Sequence, residues 1–268
     1  MVIALQYINK PEDVSSIFNE ISTKRMDVEN CVYCEYRIYV KALADIELKN
    51  YTSAIELLEK ITRKLSENYL RKPLFSAYIR SKNSKKVDDL IQKLSLLIPI
   101  KDMQELYLHI GKEYLRLGLQ VKATFYFEKL IDTFKNNSEN ENLSLAYFYN
   151  QDYTNAEVYV SKILKKDTSN IGLLSKLASS QFKNGKIAAS KETIAKLKFL
   201  KKDYQYGSID YALAQYFAIL KNKKKVIEHL LKSVSQGHLF TTLSYQNDPL
   251  FAAYYEDESF KKIINFWH

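Results

Sequence analysis

Cys31 and Cys34 form a CxxC, the arrangement most able to do chemistry in this chain. A structural zinc site takes four ligands, and a redox CxxC takes a thioredoxin-like βαβ setting. Neither accompanies the pair, and no histidine stands near it in sequence. Packing within a helix is therefore the expected role, with metal or redox chemistry the other reading, and two cysteines exclude a disulfide framework. The four histidines, His109, His229, His238 and His268, have no Cys or carboxylate partner at ligand spacing. His109 alone falls beside a face that a ligand would use, and is expected to be solvated or to line it. Asp88-Asp89 and Glu256-Asp257 are adjacent carboxylates, and neighbours on a helix point in different directions. No Gly-rich phosphate loop, HExxH or GxSxG is present. The expectation is a protein that is not an enzyme, with no catalytic residue, no metal and no cofactor.

Charge and tyrosine are the remaining chemical resources. Forty basic against 31 acidic residues leave a formal net charge of +9, and 21 tyrosines are present. Such an excess suits nucleic acid, an anionic membrane or an acidic protein. The lysines are spread along the chain, however, with small clusters at Lys165-Lys166, Lys201-Lys202 and Lys223-Lys225. Most are expected on solvated faces and loop ends. Tyrosine has an apolar body and a polar tip, which suits both the edges of stacked helices and binding surfaces.

The elements that must position these groups are helices. Six Gly and four Pro in 268 residues argue against a turn-dense β protein, and 46% apolar residues against disorder. Between Leu106 and Phe134, Gly111 and Tyr114 share one helical stretch, Gly118 breaks it, and Ala123, Phe127 and Leu130 continue on a second. That is a helical hairpin with one buried seam. Its pattern recurs. Ala54, Val87, Ala123, Ala156, Ser190 and Val226 each open a second helix, at separations of 33, 36, 33, 34 and 36 residues.

The string IGKEYLRLGLQVKATFYFEKLI resembles a tetratricopeptide repeat (TPR), whose signature orders a small residue, Tyr, Gly, Ala and Phe within roughly 34 residues. The resemblance implies an all-α fold, a right-handed superhelical solenoid of about six TPR-like hairpins with capping helices. Residues 1-29 are expected to cap the array, with Val14, Phe18 and Ile21 on one helical stripe, 30-236 to hold the repeats and 237-268 to close it as one domain. The tail NDPLFAAYYEDESFKKII resembles a closing motif of bacterial TPR arrays, matched at Asp248, Pro249, Asp257 and Phe260. Phe260, Ile263, Ile264 and Trp267 share a helical stripe suited to covering the last unit. The polar stretch Asp132 to Asn142 is expected to be a longer connection.

In TPR proteins the first helix of each hairpin lines a concave binding face. Projected onto this chain, that face takes Tyr36, Tyr39, Leu43, Ser76, Arg80, Leu108, Lys112, Arg116, Asn142, Leu145, Tyr149, Ser175, Ser179, Lys183, Tyr211 and Gln215. Its middle is basic and its ends aromatic, so it suits an acidic peptide or terminal carboxylate. Lys112 and Asn142 match only part of the chaperone-binding carboxylate clamp. The expectation is a protein-interaction scaffold binding a peptide or helical segment of a partner protein, the alternative a nucleic-acid-binding or regulatory helical-repeat module. Without a signal peptide or an apolar run of membrane-spanning length, the expected location is cytoplasmic.

Overall fold

Each second helix begins with the same backbone device. In a computed structural model, which describes residues 11–22, 34–62, 68–136, 140–202, 205–238 and 245–265, six turns place a left-handed residue five positions before Ala54, Val87, Ala123, Ala156, Ser190 and Val226. These residues are Lys49, Lys82, Gly118, Gln151, Gly185 and Lys221, with φ between 54 and 78°. The N–H of the next residue donates to the carbonyl five positions back, at 2.8–3.0 Å, closing a Schellman motif over the end of the first helix. Four positions on, the N–H of the small or β-branched residue donates to that same turn residue's carbonyl at 2.9–3.4 Å and starts the second helix.

The hairpins built this way follow one another along the chain. After α1 (Pro11–Ser22) come α2 (Cys34–Glu47) with α3 (Tyr51–Thr62), and α4 (Asn68–Arg80) with α5 (Ser84–Leu97). Then come α6 (Ile100–Arg116) with α7 (Gln120–Phe134), and α8 (Glu141–Tyr149) with α9 (Tyr153–Leu164). The last two are α10 (Ile171–Lys183) with α11 (Ile187–Phe199), and α12 (Ser208–Ile219) with α13 (Lys223–Ser235). A 3₁₀ turn (Pro249–Tyr254) and α14 (Glu258–Ile264) follow. Asn83, Asn140, Asp152, Asn170 and Asn222 cap their helices through side-chain oxygens that accept a backbone N–H three residues on.

Close helix approach explains the repeated residue types. Ala54, Val87, Ala123, Ala156, Ser190 and Val226 are all fully buried. Ser190 is the polar exception, and its hydroxyl donates to the Ala178 carbonyl at 2.8 Å, so burial leaves no unmet partner. Gly111 shows how tight this approach is. A Cβ there would stand 2.3 Å from the Phe127 ring, which lies directly on the α6 backbone.

The two ends are covered differently. Val14 of α1 packs on Val40 and Ala44 of α2. Tyr245, Phe251, Phe260 and Ile263 bury against Val226, Leu230 and Val234 of the last hairpin. Trp267 and Cys31, and the side chains of Phe18, Ile21 and Cys34, lie outside what is described. The expected connection over Asp132 to Asn142 is shorter than its polarity suggested. Asp132 to Phe134 complete α7, and Asn140 caps α8 so that Glu141 and Asn142 are already helical. Polar side chains sit well on exposed helix ends, so polarity overstated the loop.

Candidate functional site

The last residue of each first helix falls on one row, seven positions before the buried residue of the second helix: Glu47, Arg80, Arg116, Tyr149, Lys183 and Ile219. At the N-terminal end the row carries charge. Arg80 donates from Nε and Nη2 to the two carboxylate oxygens of Glu113, at 3.0 and 3.2 Å, a bidentate pair, and from Nη1 to Glu47 at 3.1 Å. Arg116 Nε lies 3.5 Å from the same Glu113 carboxylate. Burial by itself would raise the Glu113 carboxyl, but Arg80 and then Arg116 and His109 hold it at about 2. Burial likewise opposes the charge on Arg80, and Glu113 and Glu47 outweigh it.

A segment of the chain's own C-terminal part lies across this row. Asn247 accepts a hydrogen bond from Arg80 Nη2 and donates to Glu47 at 3.4 Å. Next to it, Asp248 enters the sixth hairpin. Its Oδ2 accepts from Tyr211 at 2.7 Å and from Gln215 at 2.5 Å, its Oδ1 from the Leu250 N–H at 2.9 Å, and its carbonyl from the Tyr255 hydroxyl at 2.7 Å. Gln215 in turn accepts from the buried Lys176 at 2.7 Å. Burial lowers the Lys176 ammonium to about 8, with Asp248 opposing and Lys112 adding to the shift. Burial, then Asp248 and Tyr255, drive the Tyr149 hydroxyl well above its ordinary value.

The residues expected to line the concave face thus divide. Arg80, Tyr211 and Gln215 are brought together through Asn247 and Asp248, and Arg116 reaches Arg80 only through their shared Glu113. Lys112 sits over the buried Tyr149 ring, 5.3 Å from its centroid. Tyr36, which is 40% exposed, and Tyr39 pair with each other in the first hairpin, ring centroids 6.2 Å apart. Leu43, Leu108 and Ser76 are buried, and Ser175 and Ser179 spend their hydroxyls on the carbonyls of Ala212 and Ser175. Asn142 and Leu145 are half-buried on α8, and Lys183 is exposed at the end of α10. Lys112 and Lys183 have no ion-pair partner among the described residues, nor has Lys221 in the last turn.

Sequence reasoning missed Glu47, Glu113, Lys176 and Asn247. Glu47 had a signal, because it stands in register with Arg80 and Arg116 in the repeat. It also missed that His229, buried and stacked on Phe217, meets Asp210 at 2.8 Å, with Lys201 on the other carboxylate oxygen at 2.7 Å. Those residues are 19 apart on two helices, beyond any local ligand spacing. His109 is half-buried, with its Nε2 2.9 Å from the Ser76 hydroxyl, and burial lowers its imidazole to about 4. Among the described residues no group of three His, Cys, Asp or Glu is placed to hold a metal, and no helix is long and apolar enough to cross a membrane.

The fold is TPR-like. The chain is similar to a tetratricopeptide repeat protein from Parabacteroides merdae, at 13% identity, over 96% of this chain and 92% of that one, with a TM-score of 0.49. It is also similar to the C-terminal part of a TPR repeat-containing protein from Cytophaga hutchinsonii, at 18% identity, over 88% and 93%, with a TM-score of 0.41. No protein-family model and no curated protein sequence matches it.

Proposed function

We propose that this chain is a non-enzymatic interaction scaffold, one solenoid over residues 1-268 acting in the cytoplasm, which holds a peptide or helical segment of a partner protein against the concave face of its first helices. One observation supports this most. The row of first-helix ends splits into a part spent on the chain's own C-terminal segment and a part, around Lys112 and Lys183, whose cations have no described carboxylate partner. A solenoid's first helices form an extended surface for an extended ligand. Unpaired cations on such a surface favour an acidic partner and speed its encounter. Of the residues projected onto that face, Lys112, Asn142, Tyr149 and Lys183 form the working stretch in this reading, with Tyr36 and Tyr39 at its far end.

The test is a pull-down from native cell extract with the wild-type chain and with Lys112→Glu/Lys183→Glu. A single protein captured by the wild type and lost on charge reversal is the expected result. Retention of the same protein by the variant would move the surface elsewhere. Capture of nucleic acid alone, released by moderate salt, would replace the reading with the nucleic-acid one.

A further inference from the structure

Resting on the scaffold reading, we propose that the C-terminal segment builds one wall of an anchor pocket for a single large apolar side chain, flanked by carboxylates, on a partner protein. Pro249 and Leu250 close a cavity of about 230 Å³ against the ends of four successive first helices. Leu115, Phe148 and Ile219 supply its apolar walls with Leu250, and Lys183 and Lys221 stand at its rim. The lining includes no Asp or Glu.

Size selects among occupants. Pockets that enclose whole small ligands run to about 300–1,000 Å³. This cavity is smaller, with room for one side chain of leucine or phenylalanine size. An apolar anchor entering a pocket of this kind is how interfaces concentrate their affinity. Charge selects the flanks. Lys183 and Lys221 are exposed, have no ion-pair partner among the described residues, and meet no carboxylate in the lining that would neutralise them. An acidic residue on either side of the apolar anchor meets them directly.

The segment is a permanent wall. Tyr245, Phe251 and Phe260, which hold it, are fully buried in the last hairpin's core. Releasing the segment means exposing all three, so a partner reads the pocket that Pro249 and Leu250 complete and does not compete for their place.

The experiment uses the full chain and a fluorescein-labelled, acetylated and amidated Gly/Ser peptide carrying a central Asp-Asp-Leu-Asp, followed by anisotropy. Replacing the leucine by alanine in the peptide is expected to weaken binding about tenfold or more. Lys183→Glu/Lys221→Glu is expected to weaken it about five- to tenfold, and the equal charge change Lys93→Glu/Lys101→Glu less than about twofold. Ala218→Phe, which fills the cavity from α12, abolishes it. The lysine variants keep the inference testable should that one fail to fold by circular dichroism. Equal affinity for wild type and the lysine variants overturns the inference, as does no binding of the peptide at all. If the extract partner of the wild type is nevertheless retained by Lys183→Glu/Lys221→Glu and lost by Lys112→Glu, the scaffold reading survives without the pocket. Displacement of the peptide by octanoate at equal or lower concentration assigns the pocket to free amphipathic anions and overturns the protein partner.

Discussion

Glu47 and Asn247 stand 200 residues apart in sequence and share a hydrogen bond of 3.4 Å, with Arg80 bound to both. In a solenoid each unit normally touches only its neighbours, and stability is a sum of local terms. A contact from the last segment to the first two hairpins adds a term that couples the whole array. Asp248 fastens the other end of that link, through Tyr211, Gln215 and the Leu250 N–H.

Removing Asp248 should therefore cost more than a surface residue would. Asp248→Ala leaves buried donors from Tyr211 and Gln215 without their acceptor and removes a carboxylate near Lys176. A loss of about 2–3 kcal/mol follows, since hydrogen bonds to charged groups are worth about 1.5–3 kcal/mol. Urea unfolding followed by helical signal is the measurement. Alongside the lower midpoint, the transition is expected to broaden as the first and last hairpins uncouple. A variant with an unchanged midpoint would show the link to be energetically silent.

The turns give a prediction of opposite sign. Lys82 and Lys221 occupy the left-handed position that Gly118 and Gly185 occupy in other hairpins, at φ 62 and 54°. Left-handed geometry costs a residue with a Cβ roughly 1–2 kcal/mol, and glycine returns part of that through its freer unfolded chain, about 0.5–1 kcal/mol. Lys82→Gly should thus stabilise by about 0.5 kcal/mol and Gly118→Ala destabilise by a similar amount. No atom stands within 4 Å of a Cβ added at Gly118, so the loss there is backbone conformation alone. Thermal melts of the two variants, moving in opposite directions, check both.

That comparison also shows what was legible beforehand. The repeat was readable because close helix contact admits only small or β-branched residues, and these recur at a near-constant period. Gly118 and Gly185 announced their turns; Lys49, Lys82, Gln151 and Lys221 did not, because the Schellman hydrogen bonds hold them in a conformation their side chains do not favour. The first-helix positions could be projected onto one side of the array. What lies on that side was not legible. Helical projection tells which side a residue faces, and says nothing of a segment returning from position 247. Arg80 looked like a free cation for that reason, whereas Glu47, Glu113 and Asn247 together take four of its five N–H donors.

Gly111 tests the packing side of the repeat. Alanine raises helix propensity by about 1 kcal/mol over glycine. Here its methyl carbon would sit 2.3 Å from the Phe127 ring, which is fully buried and has nowhere to retreat. Overpacking of this kind costs about 1–3 kcal/mol, so Gly111→Ala is expected to destabilise by about 1 kcal/mol or more despite the better helix former. Phe127→Leu in the same background should recover part of the loss, as measured by the denaturation midpoint.

Stability should also fall in acid in two stages. His109 and His238 are held near 4 by burial, below the ordinary 6.5, so the unfolded chain takes up their protons first. Their contribution is complete above pH 6.5 and is lost as pH falls from 6.5 towards 4. Glu113 is held at about 2 against 4.5, so its contribution is complete above pH 4.5 and drains between 4.5 and 2. Folding free energy measured by urea titration at half-unit steps should therefore begin to drop just below neutrality. His109→Gln reduces the upper stage to the part that His238 supplies, keeping a neutral group opposite Ser76. Glu113→Gln lowers stability at pH 7, because Arg80 loses its bidentate partner, and removes its share of the lower stage, to which Asp210, held low by His229 and Lys201, also contributes. A wild-type profile that stays level from pH 7 to 4.5 would mean that the two imidazoles protonate without penalty in the folded chain.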